Sequence, residues 1–571
     1  MLQSASSRSS QQRADRRTRP RVPEYSLAGV AGALVFGCAS FTPSLAPRDW
    51  MWQGIVNGFS AAVGYGVGVA LGRLAVAVTR RRPSPELRRR LWVAILLAGT
   101  PLVAVSLWLG RRWQRDIHLL MEIPPPESSA WVRTLAVAVL VFVLVVAVAR
   151  ALRRVTRRVS GWLTPLVPEP LAGPLAFLIV VLLLIGLNNG LLWRGILLMA
   201  NSGFSAANSA TDEGTVRATE PERSGSPASL ISWESLGREG RNFVGQGPRA
   251  SDLQGFSGEP AEEPVRVYAG LRSAGTTKER AALAVRELRR AGGFAREVLV
   301  VVTTTGTGYV DPAAAESVEY LYNGDTAIVG LQYSYFPSFL SLLVDSEMAE
   351  DAGRELFDQV HRAWSALPET RRPKLLVTGT SLGVFGSEAA FSGEADVRLR
   401  TDGVVWAGPP NFATLHRWFV ENRDPGTPEW YPVYDQGRAV RFVPGAGVDV
   451  QLDDRDGEPE VVYLQNGSDP VVLWTPRLAL FRPDWLSGPR APDVSPDMFW
   501  IPVVTFWQVS ADLPSNYDVP AGHGHRYLEL YVDGWTAVAR PEGWTEADSA
   551  RLREELRRNQ MERDRLAEAS A

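Results

Sequence analysis

The sequence predicts two parts: an N-terminal α-helical transmembrane domain of about five spans, then an α/β domain built on a mostly parallel sheet. Two contrasts carry this prediction. Before residue 200 the chain holds five long apolar stretches, whereas after residue 264 short β-rich runs alternate with amphipathic helical patterns. A chain of 571 residues also exceeds the roughly 250–300 at which single cores stop growing. Whole-chain averages conceal the division, because a net charge of −2 and 45% hydrophobic residues describe an ordinary soluble protein.

The apolar stretches run roughly over 25–46, 53–79, 91–110, 130–150 and 172–194. Each approaches the ~20 residues that a helix needs to cross a hydrocarbon core. The fourth, from Ala130 to Ala151, is apolar on every face, which buried soluble helices rarely are. Arginine sets the orientation, because loops held in the cytoplasm carry the excess of positive charge. Residues 1–24 form an Arg-rich tail; Arg80 to Arg82 and Arg88 to Arg90 separate the second and third stretches; Arg150, Arg153, Arg154, Arg157 and Arg158 follow the fourth. The loop 46–52 holds only Arg48, and the loop 111–129 balances three arginines with Asp116, Glu122 and Glu127. With an odd number of spans, the domain after the membrane part (25–199) is expected outside the cytoplasm; a re-entrant fifth stretch, which Asn188, Asn189 and Arg194 interrupt, would instead leave it inside. A lipid-modified Cys38 after a signal peptide is the competing reading of the first stretch, and Phe36 fits that pattern poorly. Residues 200–230, low in apolar content, are expected to be a flexible linker.

From 231 to 545 the pattern is Val265–Tyr268 as strand, 277–291 as helix, Val298–Thr303 and Ala327–Gln332 as strands, and 347–366 as helix. Lys374–Thr378 is a further strand, running directly into Gly379-Thr380-Ser381-Leu382-Gly383 and then a helical stretch. A G-x-S-x-G sequence alone is weak evidence. Between a strand and a helix it meets a chemical need: a serine on a tight turn, small flanking residues that allow close packing, and a helix N-terminus that favours an oxyanion. Ser381 is the expected nucleophile of an α/β-hydrolase domain.

Such a serine needs a base, and the chain has five histidines. His118 lies in the membrane part, His361 in a helix before the nucleophile strand, and His416 in an expected insertion, 411–450. His523 and His525 sit in Pro520-Ala521-Gly522-His523-Gly524-His525-Arg526-Tyr527, after a strand-like run Ile501–Val509 and before an amphipathic helix. His525 is favoured over His523. The orienting acid should lie between serine and histidine in chain order. Asp469, following the strand Val461–Leu464, fits better than Asp453, Asp454 or Asp456. One oxyanion donor is expected at Leu382 and the other among Thr305, Gly306 and Thr307; a phosphate loop is disfavoured because the Walker lysine is missing.

With these residues in place the chain resembles the membrane-anchored α/β-hydrolase family found mainly in actinobacteria, in which a multi-helix membrane domain precedes a hydrolase domain. The matching stretches are Thr304 to Tyr309, Leu331-Gln332-Tyr333-Ser334-Tyr335, Gly379 to Gly383 and Pro520 to Tyr527, and the likeness spans most of 26–540. It implies a hydrolase fold with Ser381, Asp469 and the His523/His525 pair as triad. It supplies no substrate.

Tyr333, Tyr335, Phe336, Phe339 and Leu340 are expected to line an apolar groove or to be core, and the insertion bracketed by Trp406, Trp418 and Trp430 to form a cap. Membrane tether and groove together favour a lipid or acylated envelope ester as substrate and the bilayer as partner; acyltransferase or peptidase chemistry would use the same triad. A non-catalytic receptor or scaffold is the rival from another class. Nucleic acid is not an expected partner, because the arginine runs flank apolar segments and lack interleaved aromatics. Cys38 is the only cysteine, so no disulfide, cysteine-based metal site or cofactor is expected. Residues 546–571 are expected to form a charged, solvated helix. The sequence leaves the oligomeric state open.

Overall fold

The computed structural model describes residues 25–187 apart from 127 and 129, 204–336, 346–445, 448 and 460–570. The chain divides into two compact units, one of 1–41, 50–111 and 130–149, the other of 42–49, 112–129 and 150–571.

The first unit is helical, built from α1 (Leu27–Ala39), α2 (Trp50–Thr79) and most of α3 (Pro85–Leu120) and α4 (Trp131–Leu163). Glycines set the α1–α2 contact: a Cβ on Gly32 would lie 2.2 Å from the Gly64 carbonyl oxygen, and one on Gly68 2.1 Å from that of Ala28. Such close backbone approach is how small residues join helices in an apolar medium. Helices α2, α3 and α4, of 30, 36 and 33 residues, are long and apolar enough to cross a membrane. Five spans are therefore not supported. The 13-residue α1 is about 20 Å long, short of a core of ~30 Å. The last stretch gives α5 (Glu169–Leu187), whose apolar part is Pro170–Leu184, and residues 188–194 lie outside the described ones.

The missing length of the first stretch went elsewhere. After Ala39 the chain leaves the helix, and Leu45 and Ala46 are completely buried in the second unit. Helix Val504–Asp512 receives this segment: Gln508 Nε2 donates to the Thr42 carbonyl at 2.7 Å, and Asp512 accepts from the Leu45 amide at 3.1 Å and from Arg48 Nε at 2.7 Å. The strand expected over 501–509 is thus a helix. Its polar residues 508 and 512 sit four apart on one face, a period that the run of valines and aromatics hides.

The second unit is built on seven parallel strands: β1 (Val265–Ala269), β2 (Val298–Thr303), β3 (Thr326–Leu331), β4 (Lys374–Thr380), β5 (Gly403–Ala407), β6 (Val440–Val443) and β7 (Val461–Leu464), in the order β1-β3-β2-β4-β5-β7-β6. Apart from Lys374 every strand residue is buried, as expected when helices cover both faces. The expected insertion 411–450 belongs to this layer, supplying helix Thr414–Glu421 and the edge strand β6. Trp406, expected at the insertion's rim, is a fully buried residue of β5. The expected linker is partly core: Arg223 is fully buried, with Nε on Glu263 at 2.8 Å and one terminal nitrogen on the Val244 carbonyl at 2.9 Å. A buried, paired arginine carries no apolar signal, so composition alone missed it. The terminal helix Glu546–Ser570 likewise buries Leu552 and Leu556 completely and pairs Arg563 with Glu316 at 2.5 Å.

Candidate active site

Strand β4 lies between β2 and β5, at the centre of the sheet. At its end Ser381 adopts φ 55°, ψ −125°, and helix Leu382–Glu388 begins at the next residue. A non-glycine residue in this region costs on the order of 1–3 kcal/mol and persists only where its surroundings enforce it. Here the Ser381 amide donates to the Ala407 carbonyl on β5 at 2.9 Å, and the Ser381 carbonyl accepts from Val384 N–H at 2.9 Å. The flanking glycines are steric requirements: a Cβ at Gly383 would lie 2.3 Å from the Thr303 carbonyl oxygen, and one at Gly379 2.6 Å from that of Gly383. The motif thus places Ser381 against the ends of both neighbouring strands.

Asp469 follows β7 and caps the short helix Pro470–Leu473, its Oδ1 accepting the Val471 amide at 2.8 Å. Its Oδ2 lies 2.6 Å from His525 Nδ1 and accepts the Tyr527 hydroxyl, and both Asp469 and the His525 side chain are fully buried. His525 Nε2 has no hydrogen-bond partner among the described residues. The ring packs against Gly408, the residue after Ala407, where a Cβ would come within 2.4 Å of His525 Cε1. Because Ala407 also holds the Ser381 amide, serine and imidazole converge on one corner of the sheet.

His523 goes elsewhere. Its Nδ1 lies 3.3 Å from Asp493 Oδ2, which also accepts Ser468 Oγ–H at 2.6 Å. Ser468 Oγ in turn accepts the Gly524 amide at 2.9 Å, tying the acid's loop to the histidine's loop. Asp493, Ser468 and Tyr527 were not picked out from the sequence; only Tyr527, inside the 520–527 stretch, had a local signal. The histidine loop does not follow a strand as expected, but the helix Val504–Asp512 and the Leu513–Ser515 turn, with the His525 amide donating to the Asn516 carbonyl at 2.9 Å.

The turn after β2 stands beside this corner, since Thr303 pairs with Gly379 in register. The Thr305 amide is used internally, donating to the Tyr309 carbonyl at 3.1 Å. Gly306 and Thr307 form the tip of the turn, which Tyr268 OH holds through the Gly308 carbonyl at 2.6 Å and Gln332 Nε2 through the Thr307 carbonyl at 2.7 Å. As first residue of its helix, Leu382 has no intrahelical acceptor for its N–H. Burial raises the Asp311 carboxyl, which caps the next helix by accepting the Ala313 amide at 2.9 Å, a bond that opposes the rise.

Two of the expected groove residues are enclosed: Tyr333 is 0% and Phe336 7% exposed, with the Phe336 ring edge-on to Phe204 at 5.8 Å. Tyr335 alone is half-buried, and Phe339 and Leu340 lie outside the described residues. For Tyr333 and Phe336 the burial fits the other expectation, that these residues are core. Among the described residues no cluster of three or more His, Cys, Asp or Glu suits a metal ion.

Comparison with known proteins gives two matches. Residues 265–552 match the model of an alpha/beta-hydrolase family, and residues 41–248 match that of an alpha/beta-hydrolase family N-terminus. No curated protein and no solved structure matches significantly.

Proposed function

The chain belongs to the α/β-hydrolase family, and from that premise we propose that it is a membrane-anchored serine hydrolase that cleaves carboxylic esters through an acyl-enzyme. Ser381 Oγ attacks the ester carbonyl, His525 Nε2 takes the hydroxyl proton and returns it to the leaving alcohol, and Asp469 holds the imidazole by Nδ1. Water then repeats the sequence on the acyl-enzyme. Leu382 N–H, with an amide from Gly306 or Thr307, stabilises the oxyanion. The observation that carries this reading is the conjunction of the left-handed Ser381 turn with the buried 2.6 Å His525–Asp469 contact. The same contact favours His525 over His523 as base.

Three long apolar helices favour a lipid or acylated envelope ester as substrate. The placement of the hydrolase domain outside the cytoplasm rests on its connectors. Segments 42–49 and 112–129, poor in net positive charge, belong to the same compact unit as the sheet, and Arg48, the only arginine in the first of them, is neutralised by Asp512. Arg80 to Arg82 and Arg88 to Arg90 lie at the other ends of α2 and α3, whereas Arg150 to Arg158 fall within the sheet's own unit, so the connectors alone carry this reading. The test is hydrolysis of p-nitrophenyl esters of graded chain length by the full-length protein in detergent. Turnover that falls by about 10⁴ in Asp469→Asn and vanishes in Ser381→Ala supports the reading; turnover unchanged in Ser381→Ala overturns it.

A further inference from the structure

Three large apolar side chains stand open on one part of the second unit: Leu480 at 68%, Phe481 at 59% and Phe499 at 52% exposure. Among the described residues from 204 on, Phe481 and Phe499 are the only phenylalanines left so exposed. Their backbones are tied together, since Trp500 Nε1 donates to the Leu478 carbonyl at 2.8 Å and the Val503 amide to that of Ala479 at 2.9 Å. A lone exposed leucine needs no explanation, whereas such a cluster marks a contact surface.

What covers this surface follows from the two segments on which it is built. Trp113 Nε1, on α3, donates to Asp497 Oδ2 at 3.0 Å, two residues before Phe499. The apolar run of α3 ends at Gly110 and is followed by Arg111 and Arg112, the order of a helix leaving a membrane. At a rise of about 1.5 Å per residue, Trp113 stands about 5 Å past Gly110, inside a headgroup layer about 5–7 Å deep. Independently, Leu45, in the connector between α1 and α2, shares one small core with Leu478 and Met498, the neighbours of the exposed residues. Farther along the same face of α3, one and two turns past Trp113, Ile117 and Met121 pack with Val519, in the loop that leads to His525. That loop therefore stands beyond the headgroups and not among them.

We propose that Leu480, Phe481 and Phe499 insert into the headgroup layer of the bilayer that α3 crosses, a second membrane contact that sets the height of the histidine loop above the lipid. Phenylalanine and leucine suit the boundary of headgroup and acyl chain, where their apolar bodies leave water while the backbone that carries them stays hydrated. The contact rests on reading α3 as a membrane span and is independent of catalysis at Ser381.

The test uses full-length protein in lipid nanodiscs, with Cys38, the only cysteine, changed to serine. An environment-sensitive fluorophore is attached in four single-cysteine variants, Phe481→Cys, Phe499→Cys, Leu399→Cys and Leu97→Cys. Leu399, exposed on the helix Glu394–Arg400, is the reference for water, and Leu97, exposed within the apolar run of α3, the reference for hydrocarbon. All four side chains are exposed, so the fold should survive. The proposal expects the Phe481→Cys and Phe499→Cys labels to emit to the blue of the Leu399→Cys label, to be quenched by lipid carrying a nitroxide on its headgroup, and to lose the iodide quenching seen at the water reference. If both are as open to iodide as the Leu399→Cys label, while mid-chain nitroxide quenches the Leu97→Cys label, the contact alone is overturned. Protection from iodide without quenching by lipid assigns the surface to another protein copy and likewise overturns it. A Leu97→Cys label that iodide reaches overturns the membrane span and the contact with it.

Discussion

Replacing Asp512 by alanine separates a structural connector from a passive tether. Asp512 is fully buried at the end of helix Val504–Asp512 and collects the Ser44 hydroxyl, the Leu45 amide at 3.1 Å and Arg48 Nε at 2.7 Å. The Arg48 side chain is also fully buried, so Asp512→Ala removes a carboxylate that a water-excluded guanidinium donates to, a loss of about 3–5 kcal/mol. Substituting both partners, Arg48→Met with Asp512→Leu, removes the charges together and should cost less than the single change. Denaturant unfolding in detergent, followed by tryptophan fluorescence, measures both. The damage should reach the candidate site, because the chain runs from Asp512 through Leu513–Ser515 to Asn516, whose carbonyl holds the His525 amide at 2.9 Å. Ester turnover should therefore fall in Asp512→Ala and recover in the double variant. A single variant within about 1 kcal/mol of wild type, or a double variant less stable than the single, would refute the argument.

Three other perturbations probe the site and its surroundings. Gly408→Ala places a Cβ within 2.4 Å of His525 Cε1 at a residue with φ 59°; displacing the base should lower kcat about 10² or more, and unchanged turnover would contradict the assigned geometry. Ser468→Ala unties Asp493 from the Gly524 amide, for which kcat about tenfold lower at similar KM is expected from steady-state kinetics. Burial raises the Glu388 carboxyl from 4.5 to about 7 and lowers His416 from 6.5 to about 4. The Glu388 contribution to stability is complete below pH 4.5 and is lost as pH rises through about 7; that of His416 is complete above 6.5 and is lost as pH falls through about 4. Each amounts to about 3 kcal/mol, and the two slopes oppose one another. Glu388→Gln should uncover the histidine slope, so that the denaturation midpoint falls on acidification from pH 6.5; a flat profile would contradict it.

The local geometry of the candidate site was more legible in the sequence than the number of membrane spans. Gly379-Thr380-Ser381-Leu382-Gly383 could be read because its glycines answer a local steric demand, and Asp469 because it follows a strand that is itself an apolar run, whereas the 520–527 histidines follow the helix Val504–Asp512 and were found from their own loop. The pairing of His523 with Asp493 was hidden because they stand thirty positions apart, on either side of the helix Val504–Asp512, with no local motif linking them. The first apolar stretch misled for a different reason. Hydropathy reports that Leu45 and Ala46 avoid water, and not whether lipid or the core of the second unit receives them, while Pro43 and Pro47 already argued against a continuous helix. Likewise Arg223 looked like linker and is core, since an arginine whose donors are all directed at Glu263 and backbone carbonyls is buried by pairing and not by hydrophobicity.

The most direct test of the central claim is covalent. Full-length protein in detergent is treated with a fluorescent fluorophosphonate, and the adduct is mapped by peptide mass spectrometry in wild type, Ser381→Ala and His525→Ala. The account predicts one adduct, on Ser381, absent in the alanine variant and strongly slowed without His525. Folded wild type that takes up no label, or label that persists at another residue in Ser381→Ala, would contradict it.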